Sequence, residues 1–233
     1  MSRIAIPAVE NILHIDCSPR PESHSRQLSA QIVEKLCAIA PGAVVSRRDL
    51  AAAAPEHPTP DYATTLSSPA TLAAPLKGAL DLSEALIREV EAADVIVIGT
   101  PMYNLTVPSV LKAWIDQILR AGRTFISTPA GKVGVLRDRP VFIGIASGGV
   151  FTGPRANQPD FLIPYLSQVL ASIGLTKLQF LPLQATAFLD QEQAPLARDE
   201  VLKALDLTSI FFDPLQHFVD PIQSRNEHLN SLK

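Results

Sequence analysis

Apolar and polar positions along this 233-residue chain follow two rhythms that replace one another repeatedly. Five short runs, at 12–16, 44–48, 95–98, 141–145 and 178–181, read as strands. The run at 95–98 is apolar without a break, as a strand covered on both faces is. Between the runs the period lengthens to that of a helix. At 25–39, Leu28, Ile32 and Leu36 recur four residues apart, and Pro41-Gly42 closes the segment. At 107–121, Val107, Val110, Leu111, Trp114, Ile115, Ile118 and Leu119 make one continuous stripe. Thr106 reads as the N-cap of that helix, Pro108 as a first-turn residue and Gly122 as the residue just past its end. Further helices are expected near 161–173 and 195–212.

Strand–helix alternation predicts an α/β fold, a five-stranded parallel sheet with helices on both faces, in one doubly wound domain. No internal repeat is visible. Two stretches interrupt the pattern. Residues 51–76 are Ala/Pro-rich and longer than an ordinary connection, so they form either a functional excursion or a mobile flap. The polar tail at 220–233 is expected to fray or to wrap a partner subunit.

Composition narrows the classes. A net charge of −3, with acids and bases interspersed, lacks the basic footprint of a nucleic-acid binder. No apolar run approaches the roughly 18 residues of a membrane span, and residues 1–11 lack the apolar core of a secretory signal. Two cysteines make no disulfide framework, so a cytoplasmic protein is expected.

The chemistry concentrates in loops that follow strands, where ligands bind in open α/β sheets. After the first strand, Ser18, Ser23, His24 and Ser25 lead into the first helix without a single glycine. Hydroxyls and free helix N–H groups there would form an uncharged cradle for a phosphate monoester. The alternative is that Ser23 or Ser25 simply caps the helix. After the strand at 95–98 comes Pro101-Met102-Tyr103-Asn104-Leu105, an aromatic-amide cluster without acid, base or nucleophile, suited to a flat ring. After the strand at 141–145 comes Ala146-Ser147-Gly148-Gly149, where two glycines permit close backbone approach and positive φ.

Ser18-Pro-Arg with Ser23 and Ser25, the 101–105 loop, and Leu-Lys-Ala-Trp-Ile-Asp at 111–116 resemble the FMN-dependent NADH azoreductases, flavodoxin-like NAD(P)H:quinone oxidoreductases. The similarity extends through 120–125, 147–149 and 164–166, covering roughly residues 12–185. The resemblance implies a flavodoxin-like domain over 1–233 with sheet order 2-1-3-4-5, and a homodimer with FMN near its interface. It places Ser18, Ser23, His24 and Ser25 around the FMN phosphate, and Pro101 to Leu105 along the isoalloxazine. Ala146 to Gly149 would face the pyrimidine edge, where backbone donors stabilise charge on reduction. It implies ping-pong two-electron reduction of quinones and/or azo compounds by NADH or NADPH, with no catalytic side chain. Two departures mark the substrate mouth: Phe151 stands where relatives have His or Tyr, and Phe125-Ile-Ser127 where they often have Phe-x-Tyr.

Other residues attract structural readings. His14 is expected in the core or at a sheet edge, and Trp114 in the core or at a dimer seam. Lys112 and Asp116 form an i, i+4 pair. Cys17 adjoins the cradle, where a helix N-terminus could activate it, but no resolving cysteine is near in sequence. No spacing suggests a metal. Two rivals remain: a flavodoxin-type electron carrier, and a non-redox binder of another phosphorylated ligand.

Overall fold

The computed structural model describes residues 9–208. The tail at 220–233 and the expected helix beyond residue 208 lie outside the described residues. The elements run β1 (Asn11–Asp16), α1 (His24–Ile39), β2 (Val44–Asp49), α2 (Pro60–Leu66), α3 (Pro69–Ala73), α4 (Asp81–Ala92) and β3 (Val95–Pro101). They continue with α5 (Ser109–Ile118), β4 (Phe125–Thr128), β5 (Gly131–Gly134), β6 (Val141–Ala146), α6 (Ile163–Ala171), β7 (Leu178–Leu183) and α7 (Gln193–Leu202), with a 3-10 turn at Thr186–Phe188.

Five strands form one parallel sheet in the order β2-β1-β3-β6-β7. This is the expected 2-1-3-4-5 order once the small β4–β5 hairpin is counted. Alternate strand residues enter two core clusters. Leu13, Ile15, Ile96, Ile98, Ile143 and Ile145 pack with apolar residues of α4, α5 and α6. Ile12, Val95, Val97 and Phe142 pack instead with Leu28, Ile32 and Leu36 of α1 and with Leu202 of α7. The order reverses between β1 and β3, so a crevice opens beyond the carboxyl ends of those strands.

Close packing of α1 on β3 depends on Gly99. A Cβ there would stand 2.4 Å from the Ser29 hydroxyl and 2.8 Å from the Ser25 carbonyl oxygen. That contact sets the start of α1 against the end of β3 and brings their loops together.

Several expected boundaries move. The helix after β3 starts at Ser109, with Pro108 as a cap that makes no side-chain hydrogen bond, and Thr106 belongs to the preceding turn. It ends at Ile118, so Gly122, at φ +74°, lies beyond its C-cap Leu119. The last helix stops at Leu202. The 51–76 excursion contains α2 and α3, and it docks on α5: the Tyr62 hydroxyl donates to the Asp116 carbonyl (3.2 Å) and Gln117 donates to the Glu56 carbonyl (3.0 Å). The helix α4 and the hairpin β4–β5 had no sequence assignment. In α4, Ser83, Leu86, Ile87 and Val90 face the core, but the N-cap Leu80 offers no capping side chain. The hairpin is too short and too exposed to show an alternating pattern.

Candidate functional site

A cavity of about 470 Å³ lies at the β1/β3 reversal. Ser18, Ser23, His24 and Ser25 line one end, and Pro101, Met102 and Tyr103 line a wall. Ala146 and Gly148 close the far side. A fourth segment, Thr186, Ala187 and Leu189 after β7, also contributes. Nothing in its composition had marked it; Ala185 holds a left-handed φ of 59°, which turns the chain there. Asn104, Leu105, Ser147 and Gly149 do not line the cavity but flank residues that do.

At the hydroxyl end, Ser23 caps α1 by accepting from the Arg26 N–H (3.3 Å), and its oxygen lies 3.3 Å from the Ser25 hydroxyl. Ser23 therefore caps the helix and lines the cavity at once. The N–H groups of His24 and Ser25 donate to no acceptor among the described residues, leaving the positive end of a 16-residue helix turned to the cavity. The expectation of an uncharged cradle is corrected, because Arg20 lines the cavity too.

A buried network fixes this loop from below. Arg26 donates to the Ser18 carbonyl (2.8 Å) and to both Asp49 oxygens (2.7 Å each), and it lies 3.4 Å from Asp16. Ser29 donates to Asp16 (3.1 Å), and His14 Nε2 pairs with Ser29 (2.9 Å). Burial opposes the Asp49 carboxylate, but Arg26 and the Ala52 and Ala51 N–H groups outweigh it and hold the group below its ordinary value. His14 is a buried histidine of this network.

The 103–106 segment is a tight two-residue turn. Tyr103 and Thr106 exchange both backbone hydrogen bonds (3.0 and 3.1 Å), while Asn104 and Leu105 hold φ of 48° and 72°. Two successive positive φ values are the geometry of a type I′ turn. Leu is poorly suited to it, and such strain of about 1–3 kcal/mol persists where surroundings impose it. Here the 160s segment does so: Phe161 N–H donates to the Leu105 carbonyl (3.2 Å) and Thr106 donates back to the Phe161 carbonyl (3.4 Å). The Asn104 and Leu105 N–H groups donate to nothing among the described residues.

Gly148 and Gly149 are not at positive φ, so that expectation is corrected. Close approach is what they provide. A Cβ on Gly149 would sit 2.7 Å from the Gln158 side-chain oxygen, and Gln158 donates to Ser147 (2.9 Å) and to the Met102 sulfur (3.4 Å). That clamp ties the β6 loop to the β3 loop. The Gly148 and Gly149 N–H groups are free among the described residues.

The expected mouth residues do not line this cavity. Phe151 is 4% exposed and packs in the larger core cluster, its N–H donating to Gln184 (2.7 Å). Phe125 is buried under Lys132, 4.6 Å from its ring, and Ser127 is exposed on the hairpin. Trp114 is core, and Lys112 pairs with Asp116 at 2.5 Å. Cys17 is fully buried, and burial, reinforced by Asp16, pushes its thiol far up, the opposite of an activated thiol. No group of His, Cys, Asp and Glu among the described residues could hold a metal, and no described helix is long and apolar enough to cross a membrane.

Comparison with known proteins matches this arrangement. The family model described as flavodoxin-like fold matches residues 10–207. An FMN-dependent NADH:quinone oxidoreductase of Pseudomonas fluorescens is 46% identical over 208 residues, covering 87% of this chain and 97% of that protein. A Burkholderia lata protein with the same description is 45% identical over 183 residues, covering 77% and 87%. Among solved structures, an azoreductase from Bacillus anthracis superposes with a TM-score of 0.69 at 25% identity, over 83% of this chain and 97% of that one.

Proposed function

The chain belongs to the flavodoxin-like family of FMN-dependent NADH:quinone oxidoreductases and azoreductases, and from that membership we propose that it reduces quinones, and secondarily azo compounds, with NADH. The observation that carries the reading is the cavity itself. It joins a hydroxyl-lined helix N-terminus to an apolar wall, at a volume of about 470 Å³ within the usual range for cofactor sites. No carboxylate or cysteine lines it, and its hydroxyls cluster at the helix N-terminus, where they suit binding an anion. FMN, held by these residues, would supply the two-electron redox chemistry that they do not.

The chain's residues bind and orient. Ser18, Ser23, Ser25 and the first N–H groups of α1 would hold the phosphate. Met102 and Tyr103 would flank the ring, with free N–H groups of Asn104 and Leu105 at one edge and of Gly148 and Gly149 at the other. Donors already fixed in place stabilise developing charge without reorganisation. The near-neutral net charge of −3 disfavours an electron carrier that docks on protein partners through an acidic surface.

We further read residues 9–208 as one domain, with 51–76 as a structural excursion, in a homodimeric protein of a reducing cytoplasm. Phe161, 59% exposed beside the 103–106 turn, leaves apolar surface near the cavity for a second copy, and the paired Ile126 and Val133 of the hairpin add exposed apolar surface elsewhere. Both cysteines are unpaired. Light scattering should give twice 25.1 kDa. Steady-state NADH oxidation with benzoquinone and with methyl red tests the activity. Parallel double-reciprocal lines are expected with the quinone, and absence of turnover with both acceptors after FMN addition contradicts the reading.

A further inference from the structure

Helix α7 buries Ala194, Arg198 and Leu202, spaced i, i+4, i+8, so a guanidinium occupies the centre of its inward stripe. Arg198 is 8% exposed, and it makes no hydrogen bond or ion pair with any described residue; its Nε is buried without a partner. A buried charge in that state is costly, because it has lost water and gained no counter-charge. The helix α7 packs on α1, and Arg198 is the charged group that acts most strongly on His24, followed by Arg20. His24 and Arg20 both line the cavity at its hydroxyl end, whereas Arg198 is not among the lining residues and reaches the site through His24 at the start of α1. Positive charge thus comes from two elements, the β1–α1 loop and the middle of α7, with His24 at the start of α1 between them. No carboxylate is among the groups acting on His24.

We propose that Arg198, with Arg20 and His24, forms an anion subsite that takes the dianion of a phosphate monoester, so that charge as well as hydroxyls holds the cofactor's phosphate. The assignment of that phosphate to FMN rests on the function proposed above. The serines and the helix terminus supply hydrogen bonds but carry no full charge; Arg198 supplies a full charge whose missing partner the ligand brings. Burial, then Arg198 and Arg20, hold His24 below its ordinary value. A bound dianion opposes the two arginines, so His24 takes up a proton as the phosphate enters.

The test compares FMN with riboflavin, which has the same ring and no phosphate, by fluorescence quenching on the apoprotein. Arg198→Met should weaken FMN at least tenfold and riboflavin less than twofold, with no loss of apoprotein Tm. Arg198→Lys should recover part of the difference. The exposed Arg20→Gln, which leaves the fold undisturbed, should show a smaller loss of the same kind, and FMN binding near pH 6 should take up protons. An unchanged FMN-to-riboflavin ratio in Arg198→Met, or an equal loss of both flavins, overturns the subsite and leaves Arg198 a packing residue. Should neither flavin bind the wild type, the FMN reading fails and inorganic phosphate decides the subsite. Phosphate must then raise the Tm of the wild type above a chloride control of equal ionic strength, and must not raise that of Arg198→Met. No phosphate effect on the wild type overturns it.

Discussion

Arg120 and Arg198 are both buried arginines, and they occupy different worlds. Arg120 donates to the Ser83 hydroxyl (3.0 Å) and pairs with Glu84, which Arg123 also holds while gripping Glu91. Glu84, Glu91, Arg120 and Arg123 all have partners in that α4–α5 corner. Arg139, also buried, is likewise satisfied, by the carbonyls of Val90, Glu91 and Ala93 at the end of α4. Arg198 has none, and the helix that carries it packs on α1, whose first residues line the cavity. Paired arginines fasten the scaffold; the unpaired one marks the place where a ligand completes the structure. A buried charge is informative about function only when its partners have been sought and not found.

The contrast can be broken most forcefully at Glu84. Glu84→Gln strips the counter-charge from buried Arg120 and should cost about 3 kcal/mol in denaturant unfolding, with the FMN-to-riboflavin ratio unchanged. Arg123, opposed by burial and aided by Arg120, holds the Glu84 carboxyl down at about 2 against an ordinary 4.5. A depressed carboxyl stabilises above its unfolded value and loses that contribution as pH falls. Wild-type stability should therefore drop between pH 4.5 and about 2, and Glu84→Gln should flatten that limb of the curve. A similar acid limb in the variant contradicts the assignment.

Arg26 sits between the two kinds of arginine, fully paired yet directly under the cradle. Arg26→Gln leaves Asp16 without its cation and frees the Ser18 carbonyl. The expected loss is about 2 kcal/mol of stability together with about tenfold weaker FMN binding, read by unfolding and quenching on the same sample. Stability loss alone would make it another scaffold arginine.

Leu105 tests strain in place of charge. Leu105→Gly relieves a left-handed Leu and should stabilise the apoprotein by about 1 kcal/mol, while loosening the ring wall enough to raise the KM for quinone. A fall in Tm would place the turn's value in Leu105 packing. The smallest effect is expected at Cys17: native protein should expose one reactive thiol to a maleimide, the half-buried Cys37, with Cys17 reacting only on unfolding.

How much of this was visible beforehand follows from what each feature depends on. The strands and the loops after β1, β3 and β6 were legible because apolar runs and turn residues are local signals, whereas the order of the sheet came from the family resemblance. The Gly148-Gly149 pair was legible as a close approach but not as backbone geometry: the positive φ values fell on Asn104 and Leu105, in a turn that exchanges hydrogen bonds with Phe161, 55 residues from Thr106. Arg198 left one trace, a charge at i+4 from Ala194 and i−4 from Leu202. Its meaning depends on the absence of partners, which sequence does not show. Phe151 read as a mouth residue from the family resemblance, whereas the backbone turns it into the core.

The most direct measurement is an anaerobic one on the FMN-loaded protein. NADH added in slight excess should bleach the visible flavin band, and one equivalent of benzoquinone per oxidising equivalent should restore it. A protein that binds no FMN, or whose bound flavin keeps its colour in the presence of NADH, contradicts the proposed oxidoreductase.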